Sequence, residues 1–503
     1  MVSSCKWRFR LALLCILLVA ACNGCSREGD DRARNGKPLP NPAHSDDQKN
    51  ASEETQMAKR PQHGFQEYVK NPELFREESK EIERADTARP PTQRELAALV
   101  SAMGKRRLEY GELQQLRKAG DRAAPLLQAA LQDEKFLFQR YGESVLDGSA
   151  IETALDLLEP FALPKARLLE PALCHSDEFF RYHALYHLAR CGNDDAIDAI
   201  AEGLKSPSEK CRTWTLMGLE FLKDSPRVSK EFRTALFKAS LPILADKEYG
   251  PGEHAPRALL ALDFHGATSV LLGEDVFRPD NKSINKVLQA LKYANVVVPA
   301  PQLRKLLAGI KTKAVDYPFD YVYADGLILL ARAEGSRASE LIGDAQSWGN
   351  DKVKEGAAEA LGIAAGVNDA YGFVIDVYRR RGANGPTEPQ LYYLTLSWLD
   401  AEVRNGGFSQ YYFNSAGELA PHAMKAALSV GAPEIAAIVQ KANALFGKNG
   451  PDPDRNKRMD QLSKIDPKAL AELDKRYYKS AERLTEILPR FVARNPEAFK
   501  PNK

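Results

Sequence analysis

The sequence predicts an all-α protein in which a solenoid of stacked helical repeats is followed by a compact helical domain. Apolar residues recur at three- and four-residue spacing almost without interruption from about residue 94 onward, which is the period of amphipathic helices. Alternating strand patterns are nearly absent. Short Ala- and Leu-rich helices also recur, each with a glycine just past its end, where a left-handed residue closes a helix.

Four such helices mark the repeat region, residues 94–385. They read RYHALYHLARCG at 181–192, PRALLALDFHG at 256–266, ADGLILLARAEG at 324–335 and EGAAEALGIAAG at 355–366. Their glycines are 74, 69 and 31 residues apart, so the first two gaps are close to double the third, and the missing turns fall near Asp224 and Asn295. The region resembles HEAT or armadillo-type repeats, in which stacked helix pairs share one core and offer an extended surface for binding. An irregular helical bundle is the alternative.

The start of the chain has the layout of an export signal. Lys6, Arg8 and Arg10 precede an apolar run over residues 11–21, which is shorter than the roughly 20 residues of a membrane-spanning helix. The run ends in Val-Ala-Ala before Cys22 and resembles the lipobox of bacterial lipoproteins; an ordinary secretory signal is the alternative. The resemblance implies that residues 1–21 are removed, that Cys22 carries the lipid, and that the protein is anchored to a membrane of the bacterial cell envelope, outside the cytoplasm.

Residues 22–93 have the composition of a disordered polar stem. Charged residues, Pro and Asn dominate, and apolar residues are scattered without a period. A flexible chain of about 65 residues reaches roughly 45 Å, which suits a tether between a membrane and folded domains. Pro90-Pro91 closes the stem, and Thr92 is placed to cap the first folded helix.

The most specific motif opens the C-terminal domain, residues 386–503. Residues 399–415 read LDAEVRNGGFSQYYFNS. This segment closely resembles the domain family named for DNA mimic proteins, whose core is E-x-x-N-G-G-F-x-Q-[YF]-[YF]-x-N-S, and the likeness implies a small helical domain. The motif residues that are candidates for binding are Glu402, Asn405, Gly406, Gly407, Phe408, Gln410, Tyr411 and Asn414.

The spacing within this motif predicts a sharp helix break. The Asn-Gly-Gly run at residues 405–407 accepts left-handed backbone angles. Four polar side chains are expected to converge around the break: Glu402, Asn405, Gln410 and Asn414. Such a group is either a buried polar network that fixes the angle between two helices or a site for a ligand or partner.

The charge of the chain argues against DNA mimicry and against nucleic-acid binding. Residues 386–503 contain 14 Asp and Glu against 17 Lys and Arg, a net charge of +3, whereas a mimic of the phosphate backbone needs a negative surface. The whole chain is formally +2, and it is about −1 once a signal with three basic residues is removed. No nucleic-acid partner is therefore predicted.

His183, His187 and Cys191 are the best chemical candidates in the repeat region. They lie at i, i+4 and i+8 of one predicted helix and so on one face, where imidazole and thiolate could hold zinc or copper. The favoured alternative is a solvent-exposed histidine face with Leu185 and Leu188 in the core, so no cofactor is predicted.

Cysteine usage leaves the redox state open. Cys174, Cys191 and Cys211 are too few for a disulfide framework in a chain of this length, although two of them can pair in an oxidising compartment.

These features together predict a membrane-anchored module that binds or scaffolds a protein partner and has no enzymatic activity of its own. The sequence contains no GxSxG, HExxH, P-loop or GxGxxG motif. The alternative is an envelope enzyme or metal-binding protein that uses Glu402 or the His183, His187 and Cys191 group.

Overall fold

The structure is a computed structural model that describes residues 73, 89–142, 148–158, 166–246, 248–281 and 283–501. Contacts divide the chain into two units, Met1–Phe75 and Arg76–Lys503, and the description below concerns the second. The predicted signal, Cys22 and nearly all of the predicted stem lie outside the described residues. Within the described ranges the regular elements are all helical, apart from one isolated bridge between Arg140 and Ser149, so the all-α class is confirmed.

The α-helices of the described residues are numbered in chain order. They are α1 (Gln93–Met103), α2 (Tyr110–Ala119), α3 (Ala124–Ala130), α4 (Glu134–Leu137), α5 (Ala150–Leu158), α6 (Ala166–Leu173), α7 (Glu178–Cys191), α8 (Ile197–Leu204), α9 (Glu209–Glu220), α10 (Lys230–Ser240), α11 (Tyr249–Leu262), α12 (Phe264–Leu271), α13 (Ile284–Tyr293), α14 (Ala300–Ile310), α15 (Phe319–Glu334), α16 (Ser339–Gln346), α17 (Asp351–Ala364), α18 (Ala370–Arg381), α19 (Glu388–Phe413), α20 (Ala420–Val430), α21 (Pro433–Ala444), α22 (Arg455–Leu462), α23 (Pro467–Lys479) and α24 (Leu484–Arg494).

Two layers of helices form the repeat region. Helices α7, α9, α11, α13, α15 and α17 pack one against the next as a first layer, and α8, α10, α12, α14 and α16 pack against them as a second layer. Buried side chains such as Leu188, Leu259 and Leu327 fill the space between the helices. Because one helix pair cannot bury its own apolar face, each repeat depends on its neighbours for a core.

The turns of the repeat fall close to where the sequence places them. Gly192, Gly335 and Gly366 all have positive φ angles at or just after a helix end, and Asp224 (φ 58°) and Asn295 (φ 55°) also have positive φ angles at the two predicted missing turns. Asp and Asn tolerate this region better than other side chains do.

The turn predicted at Gly266 is wrong. Helix α11 already ends at Leu262, and Asp263 caps the next helix by accepting the N–H of Gly266 at 3.0 Å. Gly266 therefore lies in the first turn of α12, and a strong N-cap replaces the expected C-cap glycine.

Side-chain caps begin three of the helices, and the start predicted at Thr92 is confirmed. Thr92 caps α1 in a capping box with Glu95, and Thr387 caps α19 in the same way. Asp466 caps α23, and proline occupies the first helical position there. These caps satisfy backbone N–H groups that a helix leaves without an internal partner.

The C-terminal segment forms two helices where its continuous apolar period predicts one. The apolar period runs through residues 470–491, yet α23 ends at Lys479, where Ser480 turns to extended angles (φ −59°, ψ 137°). The hydroxyl of Ser480 donates to Glu434, and the Glu482 carboxylate accepts the N–H groups of Glu434 and Ile435 at the start of α21. The break supplies a cap for a neighbouring helix, and it lets α24 pack on α17 at the end of the first layer.

Candidate functional site

The motif helix α19 is broken at two glycines, as the sequence predicts. Gly406 (φ −156°, ψ 22°) and Gly407 (φ 78°, ψ −178°) both leave helical geometry. A Cβ at Gly407 would lie 2.4 Å from a carboxylate oxygen of Asp474. Glycine is required there both for the positive φ and for the close approach of α23.

Helix α23 braces the break from outside α19. The Asp474 carboxylate accepts the N–H of Phe408 at 2.7 Å, which caps the second half of the kinked helix, and the hydroxyl of Tyr478 donates to the carbonyl of Val403 at 2.6 Å in the first half. Burial raises the pKa of Asp474, and its bond from the Phe408 N–H acts against that shift. The two contacts satisfy one donor and one acceptor at the interruption.

Three of the four predicted polar side chains meet across the kink. The Oε2 atom of Glu402 accepts hydrogen bonds from Gln410 Nε2 at 2.7 Å and from Asn414 Nδ2 at 2.8 Å. Gln410 is buried, whereas Glu402 and Asn414 are half-buried and Asn405 is exposed in the turn before the break. One carboxylate oxygen thus ties the second half of α19 back to the first.

The aromatic residues of the motif belong to the core. Phe408 packs against the rings of Tyr412 and Tyr477, with ring centroids 6.1 and 5.8 Å apart. Phe408 and Tyr411 are fully buried, and the Tyr411 hydroxyl has no hydrogen-bond partner within the described residues. Burial strongly raises the pKa of Tyr411, so this phenol is neutral at any physiological pH.

Arg458, a buried arginine outside the motif, binds the carbonyls at the end of α19. Arg458 is 0 % exposed. Its guanidinium donates to the carbonyls of Tyr412 (2.7 Å), Asn414 (3.0 Å), Asp452 (2.8 Å) and Pro453 (2.9 Å). A Cβ at Gly417 would lie 2.6 Å from Arg458 Nε, so glycine is needed for the arginine to fit.

The surroundings of the kink carry both signs of charge. Burial lowers the pKa of Arg455 to about 10, and the neighbouring Arg458 acts in the same direction, while Glu418 and Glu402 act against it. Arg455 Nε also donates to the carbonyl of Phe413 at 2.9 Å. Acidic and basic groups alternate here, which differs from the single negative field that imitates a phosphate backbone.

Residues 385–495 match the family of DMP19-like proteins. The chain therefore carries a DMP19-like domain, and the kinked helix α19, with its brace α23 and Arg458, lies within it. No curated protein matches the chain.

Solved structures add nothing to the fold assignment. A crystal structure described as an engineered protein is 14% identical, covers 80% of this chain and 99% of that chain, and has a TM-score of 0.26. That TM-score is too low to indicate a shared fold.

The hydrogen bonds that Glu402 accepts should stabilise the DMP19-like domain. Glu402→Ala removes the acceptor of both the Gln410 and Asn414 amides, and leaving such partners unpaired should cost about 1–3 kcal/mol of unfolding free energy, measured by urea denaturation. Glu472→Ala is the control, because that carboxylate pairs with Lys475 on the surface, and this variant should unfold at the same urea concentration as the wild type. A Glu402→Ala protein with wild-type stability would refute the bracing role and leave Glu402 as a binding residue.

The candidate metal ligands His183, His187 and Cys191 are buried inside the helix stack. Leu185 and Leu188 are in the core as predicted, but His183 and His187, each 2 % exposed, are buried as well, so the expected solvent-exposed histidine face is wrong. Within the described residues no three His, Cys, Asp or Glu side chains are placed to hold a metal ion. Eight residues of α-helix separate His183 from Cys191 by about 12 Å, which is too far for one ion.

His183 lies in an aromatic cluster instead. Its ring centroid is 4.4 Å from that of Phe179, 4.7 Å from Tyr182 and 5.0 Å from Trp214. Neither ring nitrogen has a hydrogen-bond partner in the described part of the chain. Burial and the nearby charge of Arg140 lower the pKa of His183 to about 4, so the ring is held in its neutral form.

Of the described cysteines Cys174, Cys191 and Cys211, none forms a disulfide, and the last two are buried. No helix within the described residues is long and apolar enough to cross a membrane.

Proposed function

We propose that the protein is a lipid-anchored binding module of the bacterial cell envelope, whose helical repeats present a surface to a protein partner. The observation that carries the proposal is a set of exposed aromatic rings on the first layer and the turns beside it. Tyr249 and Tyr293 are each 64 % exposed, Phe221 is 58 % exposed and Tyr321 is 44 % exposed. Large aromatic side chains left in water on successive helices are typical of protein–protein interfaces, where they supply most of the binding energy.

A lysine or arginine side chain contacts each of these rings. Lys286 Nζ lies 4.0 Å from the ring centre of Tyr249, and Arg257 Cζ lies 5.5 Å from that of Tyr293. Arg190 lies over Phe221 at 4.6 Å and Lys352 over Tyr321 at 4.8 Å. Such contacts fix the rings before a partner arrives, which reduces the entropy lost on binding.

The same cations favour a protein partner over a nucleic acid. Lys286 is paired with Glu253 at 3.0 Å, and Arg257 contacts the same carboxylate at 3.5 Å. Positive charges that are already neutralised within the protein offer little to a phosphate backbone, whose binding depends on counterion release.

Site-directed photo-crosslinking in intact cells tests the proposal. A benzophenone amino acid at Tyr293 should form a discrete cross-linked species, whereas the same residue at Phe264 on the second-layer helix α12 (39 % exposed) should not. Tyr249→Ala should reduce the yield from position 293 about tenfold, because loss of an aromatic anchor costs 1–2 kcal/mol or more. Equal cross-linking from both positions, or no effect of Tyr249→Ala, would contradict the proposal.

The anchor is tested in the same cells with Cys22→Ser. Because the thiol of Cys22 is the proposed attachment point, this variant should lose labelling by a fatty-acid analogue and leave the membrane fraction or accumulate uncleaved. Labelling that persists would place the lipid elsewhere.

A further inference from the structure

The first helices after the predicted stem are basic. Residues 89–140 contain 10 Lys and Arg against 6 Asp and Glu, a net charge of +4, whereas residues 141–503 contain 46 against 48. Helices α1 to α4 lie within this basic stretch. The positive charge of the described part of the chain is therefore concentrated at the start of the repeat region.

Helix α1 has one face that is open to solvent and carries positive charge at both ends. Its apolar side chains are buried on the opposite side. The open face exposes four residues at i, i+4, i+7 and i+11, namely Arg94, Ala98, Ser101 and, just past the helix end, Lys105. This spacing places them in one row in which the two cations are about 16 Å apart along the helix axis. The small side chains between the cations allow a flat surface to come close to the helix.

The cations of this face are available to a partner. Arg94 and Lys105 are exposed, and within the described residues neither makes an ion pair. The one acidic residue between positions 93 and 105 is Glu95, which pairs with Arg89 at 2.7 Å. Arg107, exposed in the loop after α1, has a coulombic interaction with Glu152 but no ion pair with it.

A groove beside α1 separates this face from the short helix α4. Lys105 lines one side of the groove, and Asp133, Glu134 and Lys135 line the other. These two acids and one lysine are already included in the net charge of +4, so they reduce the basic excess of this end without removing it.

We propose that the open face of α1 lies on a membrane surface that contains anionic lipids, with Arg94, Lys105 and Arg107 at the headgroup phosphates. The choice of a membrane rests on the proposed lipid anchor, because the chain that starts at Cys22 enters the folded region at α1. Each lysine or arginine near an anionic membrane increases the affinity roughly fivefold. A chain that is already anchored has a high effective concentration at the surface, so a few such residues are enough to orient it.

Sedimentation with lipid vesicles tests this surface. The chain from residue 22 onward, with Cys22→Ser, carries no lipid, so its binding reports the basic face independently of the anchor. It should bind vesicles of phosphatidylcholine and phosphatidylglycerol at least about tenfold more tightly than vesicles of phosphatidylcholine alone. High salt should weaken the binding, because it screens charges on the surface.

Two triple variants of the same chain locate the interaction. Arg94→Gln, Lys105→Gln and Arg107→Gln together should weaken binding to the anionic vesicles by at least about tenfold. The matched control neutralises the same number of exposed cations at the end of α18, which likewise make no ion pair within the described residues: Arg379→Gln, Arg380→Gln and Arg381→Gln. The control should bind as the parent chain does, and thermal denaturation shows whether both variants are folded.

Three results would overturn the proposal. They are equal binding of the parent chain to the two kinds of vesicle, an equal loss of binding in the two triple variants, and binding of a DNA duplex as tight as that of the anionic vesicles. Failure of the proposed anchor is a separate result, because it would appear in the fatty-acid labelling of the Cys22→Ser protein in cells and would leave the vesicle measurements unchanged.

Discussion

Arg458→Met should destabilise the DMP19-like domain by about 3–5 kcal/mol, because it removes a fully buried guanidinium that serves four backbone carbonyls. Two of those carbonyls, of Tyr412 and Asn414, are at the end of α19, where helix carbonyls have no internal partner. Methionine has a similar length but no donor, so all four acceptors would be left buried or would have to find water. Urea denaturation gives the change, and hydrogen exchange over residues 408–419 should show where it originates.

Two further variants separate this role from a general effect of charge. Lys457→Met removes the neighbouring cation, which is exposed, and should change stability by no more than about 0.5 kcal/mol. Arg458→Lys keeps the charge but has only one nitrogen, so it should recover a minor part of the loss. Full recovery with lysine would mean that charge, and not the geometry of the guanidinium, stabilises this junction.

Local signals in the sequence predict much of the fold and the position of the kink. Repeat turns can be located even where glycine is absent, because Asp224 and Asn295 belong to the few residue types that accept positive φ. The kink is predictable because two consecutive glycines interrupt a helix that is otherwise well formed. The hydrogen bonds from Gln410 and Asn414 to Glu402 follow from the positions of these residues in the sequence on either side of that break.

Contacts between distant segments are not predictable in this way. Arg458 donates hydrogen bonds to carbonyls more than 40 residues earlier in the chain. The one local feature that points to these contacts is the position of Arg458 at the end of a loop that contains Pro and Asp. The break between α23 and α24 is also not predictable from the sequence, because the apolar period continues across it. The break arises because Glu482 caps α21. The burial of His183 could not be read from helix spacing, because the neighbouring helix α9 contributes the Trp214 ring that packs on it.

Acidification should destabilise the repeat region through His183 and His187. The folded-state pKa of His183 is about 4 and that of His187 is well below 6.5, in both cases first of all because of burial, whereas both residues have the ordinary value near 6.5 when unfolded. Between pH 6.5 and pH 4 these two histidines therefore bind protons in the unfolded chain but not in the folded chain. The stability that is present above pH 6.5 is lost as the pH falls toward 4. For His183 alone the loss at pH 5 is about 2 kcal/mol.

His183→Phe should remove the contribution of His183 to the pH dependence of the unfolding free energy. A phenyl ring suits the cluster of Phe179, Tyr182 and Trp214, has no nitrogen to leave unpaired, and does not titrate. The free energy of unfolding should therefore fall about 2 kcal/mol less between pH 7.5 and pH 5 than it does in the wild type, while His422→Phe, at an exposed position on α20, should leave the wild-type slope unchanged. Identical slopes for His183→Phe and the wild type would show that His183 takes up its proton without opening the stack. The difference between the two curves isolates the histidine, since carboxylates that titrate in the same range contribute equally to both.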